Sequence, residues 1–249
     1  MKYLENRILS GVFTKTLAAA FIIMMFVGIS AAAPMTFFGE DAGLGESTPL
    51  SSWPNADAAK DDFLSHLNGV GVEDLESFKD GDEAPLTVDF GAAGTATLNG
   101  TGEIETNIGS GRYPISGDNF WEATGDFSIE FSEAQVAFGF YGVDVGDFDG
   151  QLTVVYEDET TQTLTIPHTT NAYGGAVIYY GFIDLDHPFT KITFDNTMPG
   201  YDYFGFDDFT IGTKEQVNNN NNEIPEFPTV AIPMAGIIGM MFLFQRRKE

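Results

Sequence analysis

The chain has 249 residues, 43% of them hydrophobic and 14% aromatic, enough for one sizeable core and for one or at most two domains. Its 37 Asp and Glu against 11 Lys and Arg give a formal net charge of -26, which argues against nucleic acid as a partner because that needs a basic footprint. Cys is absent, so disulfides, thiolate metal sites and Cys nucleophiles are excluded.

The positive charges gather at the two ends. Lys2, Arg7 and Lys15 precede or flank an apolar run at 17–29, and Arg246, Arg247 and Lys248 follow a second run at 229–244. Only Lys60, Lys79, Arg112, Lys191 and Lys214 lie between, so the intervening stretch is more acidic than the whole chain, at about -30. The first basic and apolar segments, followed by Ser30, Ala31, Ala32 and Ala33, have the order of a secretory signal peptide covering 1–32, with cleavage expected after Ala32. An uncleaved membrane anchor is the alternative, for which the run is short.

A helix is expected over 55–67. Asn55 is placed to cap it, Asp57 suits the positive end of its dipole, and Phe63, Leu64 and Leu67 form an apolar stripe before Gly69. Beyond it the pattern becomes short β-branched and aromatic runs separated by Gly, Asn, Asp and Pro. Strands are expected at 75–78, 86–90, 95–98, 103–106, 127–131, 135–143, 151–156, 161–166, 176–182, 191–195 and 205–211. Helical crossovers long enough for parallel βαβ units are missing from this pattern, so the fold class is all-β: an antiparallel, jelly-roll-like sandwich spanning 33–213 with one short N-terminal helix. Asn99-Gly100 reads as a two-residue hairpin turn, and with Thr101 it forms an N-glycosylation sequon at Asn99.

Several constellations could carry chemistry. Asp144, Asp147 and Asp149 crowd hard oxygen ligands into one loop, as Ca²⁺ requires, although solvated turn acids would look the same. Asp207 and Asp208 sit together in the last strand; period-2 alternation puts them on opposite faces, so that one carboxylate points inward and needs a cation or a donor. Arg112, beside Tyr113 and a few residues before Trp121, could hold a sugar hydroxyl while a ring stacks on the pyranose face; a structural Arg paired with a carboxylate is the alternative. His66, His168 and His187 are too scattered to form a metal pair, and no Gly-x-Ser-x-Gly turn occurs, so an enzyme is not expected.

The tail has three ordered parts after the polar, Asn-rich linker 214–224: the motif Pro225-Glu226-Phe227 with Pro228, a hydrophobic segment at the short limit for a transmembrane helix, and the basic cluster. This segment, 225–249, resembles the PEF-CTERM sorting signal of methanogenic archaea. The resemblance implies processing by an archaeosortase, removal of the hydrophobic helix, and transfer of the chain to a surface anchor such as a lipid in the membrane. A plain C-terminal membrane anchor is the alternative.

The body also resembles an extracellular domain of PEP-CTERM sorted proteins. The residues that carry it are Asn55-Ala56-Asp57-Ala58-Ala59 with Phe63, the glycine-alanine stretch 91–98, Gly111-Arg112-Tyr113-Pro114, Phe138-Gly139-Phe140-Tyr141-Gly142 with Asp147-Phe148, and the closing Phe204-Gly205-Phe206-Asp207-Asp208-Phe209. What this implies is a sandwich like those of carbohydrate-binding modules, in which a structural Ca²⁺ joins an acid near the start to one in the final strand; Glu76 with Asp207 or Asp208 is the matching choice. The expectation is a secreted, archaeosortase-processed cell-surface protein with a structural or adhesive role in the envelope or matrix. A Ca²⁺-dependent module that binds surface polysaccharide is the second reading, and a glycoside hydrolase a distant third.

Overall fold

The computed structural model describes residues 33–145, 150–167, 174–195 and 203–218. The chain divides into two units, Met1–Ala33 and Pro34–Glu249, and nearly all described residues belong to the second. They form two antiparallel sheets with one helix. In chain order the strands are β1 (Met35–Asp41), β2 (Gly71–Glu73), β3 (Leu86–Asp89), β4 (Thr95–Gly100), β5 (Glu103–Glu105), β6 (Phe120–Ala123), β7 (Phe127–Gln135), β8 (Ala137–Val143), β9 (Gln151–Tyr156), β10 (Thr161–Thr165), β11 (Val177–Ile183), β12 (Phe189–Asp195) and β13 (Phe204–Gly212), and helix α1 is Pro54–Ser65.

The first sheet runs β1-β11-β8-β13-β6-β5, with β2 also paired to β13; the second runs β10-β9-β12-β7-β4-β3. This is the expected all-β sandwich with one short N-terminal helix. Its inner core interleaves alternate residues of both sheets, among them Leu152, Val154, Ile192 and Phe194 from the second and Phe138, Phe140, Phe206 and Phe209 from the first. Phe127 stacks on Phe194 at 4.2 Å between centroids, and Phe140 meets Phe194 edge-on at 5.0 Å.

Helix α1 lies on the outer face of the first sheet, against β1, β11 and β8, and closes a second apolar cluster built on Phe37, Phe63, Tyr141 and Tyr179. Glycines let it approach: a Cβ at Gly39 would stand 2.0 Å from the Asn55 carbonyl oxygen. The first turn is capped from outside the helix. Asp41, at the end of β1, accepts the backbone N–H groups of Asn55 (3.0 Å) and Ala56 (2.9 Å), while Trp53 occupies the N-cap position without a side-chain bond. Asn55 is therefore inside the helix rather than its cap, with Pro54 opening the first turn.

Three further expectations about elements and boundaries differ from the structure. The strand placed at 75–78 is a turn, entered by Leu75 at φ 61 and closed by Phe78 N–H to Leu75 C=O at 3.2 Å; the local strand is the shorter β2. Asn99 and Gly100 are not a hairpin tip. They continue β4 opposite Ser128 and Phe127, and Asn99 lacks the positive φ such a turn needs. Finally, the domain continues past 213: Thr213 and Gln216 form a capping box, Val217 bridges to Leu67, and Asn218 N–H donates to the His66 carbonyl at 2.7 Å.

Candidate functional site

The Asp207–Asp208 pair lies where β13 changes partner. Residues 204–206 pair with β6 and residues 209–211 with β2, and the register against β8 shifts between Asp207 and Thr210. Asp208 sits at φ 49 in this bulge. Phe204 and Phe206 before it and Phe209 and Ile211 after it all enter the inner core, so the alternation is reset. The extra residue takes both carboxylates out of the core, which corrects the expectation that they occupy opposite faces.

Both carboxylates serve the segment that follows Arg112. Asp207 Oδ2 accepts the backbone N–H groups of Ile115 (2.8 Å) and Ser116 (2.9 Å), and its Oδ1 accepts that of Asp208 (2.7 Å). Asp208 accepts the Ser116 hydroxyl at 2.8 Å and pairs with Lys60 Nζ at 2.8 Å. Glu76 holds the same segment a few residues on, its Oε1 accepting N–H groups from Asp118 (2.9 Å) and Asn119 (2.7 Å). Asn119 in turn donates to the carbonyls of Leu75 and Phe78. The three residues of this Ca²⁺ candidate thus converge on one loop, where Asp207 and Asp208 each use both carboxylate oxygens on protein donors and Glu76 uses Oε1. Among the described residues, no group of three or more His, Asp or Glu is arranged to hold a metal ion.

Burial pushes the Asp207 carboxyl up to about 8, reinforced by the neighbouring charge of Asp208; the N–H groups of Ser116, Ile115 and Asp208 pull the other way. Lys60, which carries no motif in the sequence, supplies the cation beside this pair. It also lies 4.9 Å from the Tyr141 ring centroid, and Tyr141 donates its hydroxyl to Asp57 one turn earlier on the helix at 2.7 Å. The signal was present in the sequence, since Ala56, Lys60, Phe63 and Leu67 fall on one helical face.

Asp144 is buried and stands apart from this cluster. Its Oδ1 accepts Gly175 N–H at 2.8 Å, and it fills the space beside Gly111, where φ is +82 and a Cβ would stand 2.0 Å from Oδ2. Asp147 and Asp149 lie outside the described residues.

The expected sugar platform is not built as drawn. Trp121 is 0% exposed in the inner core beside Phe127, and Tyr113 is 3% exposed, its hydroxyl donating to Gly175 C=O at 2.8 Å and accepting Leu50 N–H at 3.1 Å. Neither ring presents a face to a ligand. Arg112 pairs with the buried Glu122 and donates to the Gly109 carbonyl, which is the structural alternative for that residue. Its guanidinium lies 4.4 Å from the ring centroid of Tyr203, which is 41% exposed and which sequence spacing did not connect to it. Asn99 is half-buried on the outer face of the second sheet, its amide donating to Thr97 C=O at 3.2 Å.

His66 lies 3.9 Å from Asp62 and His187 3.1 Å from Asp184, at separate places; His168 falls outside the described residues. No helix among the described residues is long and apolar enough to cross a membrane. The leader 1–32 and the motif Pro225, Glu226 and Phe227 with its hydrophobic segment lie outside them.

Among solved structures the chain is similar to the K2 cleaved adhesin domain of Lys-gingipain, with TM-score 0.37 and 14% identity, covering 58% of this chain and 100% of that one. It is also similar to a family 29 carbohydrate binding module, with TM-score 0.28 and 17% identity, covering 51% and 98%. A tyrosine-to-alanine mutant of the family 29 carbohydrate binding module CBM29-2 gives TM-score 0.29 and 15% identity over 48% and 96%. No curated protein matches the chain. The informative match is in the tail, and it agrees with the motif read there: residues 224–248 match the PEF-CTERM archaeal protein sorting domain.

Proposed function

We propose that this chain is a sorted cell-surface protein whose sandwich is displayed outside the cell in a structural or adhesive role. The observation that carries this reading is the sorting-domain match at 224–248. The order of parts supports it: a leader-like segment, a sandwich, a polar linker, and the motif with its apolar and basic segments.

The geometry of the sandwich suits display. Met35, Ile183, Ala137 and Gly212 share one end of the first sheet by register. The described chain ends at Asn218 beside His66, whose ring lies 5.2 Å from Phe37. Both ends of the domain therefore sit at one pole, which leaves the opposite pole to face away from an anchor attached through the tail. In this reading an archaeosortase acts near Pro225-Glu226-Phe227, and the acidic surface keeps the displayed domain soluble.

Labelling intact cells of the native host with a membrane-impermeant amine reagent tests the display. The protein is expected to be labelled at Lys79 and Lys191 without lysis; labelling only after lysis would overturn it.

A further inference from the structure

The two outer faces of the sandwich differ. That of the first sheet is covered by α1, whereas the residues facing outward from the second are half-buried or exposed, apart from Ser128 at 8%. The strand registers align this open face into rows. One row crosses five strands as Thr163, Thr153, Thr193, Ser128 and Asn99, each directly opposite the next. The adjacent row crosses six as Thr161, Val155, Lys191, Glu130, Thr97 and Thr87.

Charge separates this face from the rest of the protein. Within the two rows the only charged residues are Lys191 and Glu130, which pair with each other at 2.8 Å. A chain with a net charge of -26 thus carries an electrically balanced face, with Asp195 and Asp89 only at its borders. The Thr153 hydroxyl already donates to Asp195 Oδ2 and keeps only its acceptor capacity, whereas a free hydroxyl such as those of Thr163 and Thr193 can both donate and accept, and the Thr methyls between them add apolar contact. Strand geometry spaces these groups at about 4.8 Å across the strands and about 6.7 Å along them.

We propose that this face binds a neutral, extended polysaccharide, laid across the strands and held by hydroxyl-to-hydroxyl hydrogen bonds. An uncharged polyhydroxyl chain matches the balanced rows, whereas a uronate or sulfated polymer would approach a strongly acidic protein against its field. The inference deepens the adhesive reading by naming a partner class and a face, and it replaces the buried Trp121 and Tyr113 as the place where sugar is met.

The test uses the full-length chain in detergent, mixed with cellulose, mannan and, as the charged comparison, polygalacturonate. Retention is expected on at least one neutral polymer, unchanged at about 1 M salt where surface charge effects are screened, and absent on polygalacturonate. Thr163→Val with Thr193→Val keeps β-branched side chains and removes two hydroxyls, and should weaken retention about tenfold; Thr36→Val on β1 should leave it unchanged. If the double variant does not melt like the parent, Thr163→Asp on the exposed strand β10 serves instead and should abolish retention. No retention on either neutral polymer, equal retention by the variants, or retention on polygalacturonate overturns the proposal. Because the assay uses purified protein, failure here leaves the display reading standing, and failure of cell-surface labelling leaves this one standing.

Discussion

Asp207 illustrates how one side chain can organise a loop at a cost to the fold. Its carboxyl is 0% exposed, yet it receives three backbone N–H groups, so removing it leaves those donors inside without partners. Asp207→Ala should therefore destabilise the protein by about 2–3 kcal/mol at pH 5, read by chemical denaturation. The raised pKa adds a pH dependence with a definite sign. The folded state holds the proton between about pH 4, where an ordinary carboxyl releases it, and about pH 8, so this group's contribution is complete below that window and declines as pH rises through it. The stability gap between parent and variant is predicted to narrow from pH 5 to pH 8; a gap that widens would contradict the assigned direction. The sequence revealed two adjacent acids in a strand-like run but not their environment. The φ of Asp208 and the shift of partner from β6 to β2 are properties of the assembled sheet, and they turned a period-2 expectation into a shared outward side.

At the scale of elements, helix α1 is held to the sandwich by polar contacts on successive turns with one aromatic anchor near its end. Asp41 caps its start, Asp57 receives the Tyr141 hydroxyl, and Lys60 reaches Asp208. Phe63, fully buried, meets Phe37 at 5.4 Å and Tyr179 at 5.9 Å between ring centroids. Phe63→Ala should cost about 3–5 kcal/mol and lower amide-exchange protection across 54–65 before the inner core is affected, because that core lies on the other face of the sheet. Uniform loss of protection would show that the helix is not a separable layer. The helix and most strands were legible from periodicity, because Leu152, Val154 and Tyr156 or Phe127, Ile129 and Phe131 alternate with polar neighbours. β1 and β6 were not. Met35–Asp41 places Phe37 and Phe38 side by side, one under the helix and one against the inner core, and Phe120–Ala123 is buried on both faces. Strands packed on both sides lose the alternation that marks them.

For the molecule as a whole, the sequence was most informative at its tail and least at the candidate sites. The tail's ordered motif, apolar run and basic cluster could be read without a fold, because a sorting signal is recognised as a linear segment. The carboxylate and Trp candidates could not, because their roles depend on burial: Trp121 is core, and Glu76, Asp207 and Asp208 hold a loop, whereas the pairing of Arg112 with Glu122 is the structural alternative read for that residue. The open threonine face arises from registers across five or six strands, which no local window contains. The most direct test of surface sorting is the intact mass of the protein isolated from native cells. The account predicts a chain that has lost residues 1–32 and the hydrophobic segment after Pro225-Glu226-Phe227, carrying added mass from an anchor. A mass equal to all 249 residues, with both ends retained, would contradict it.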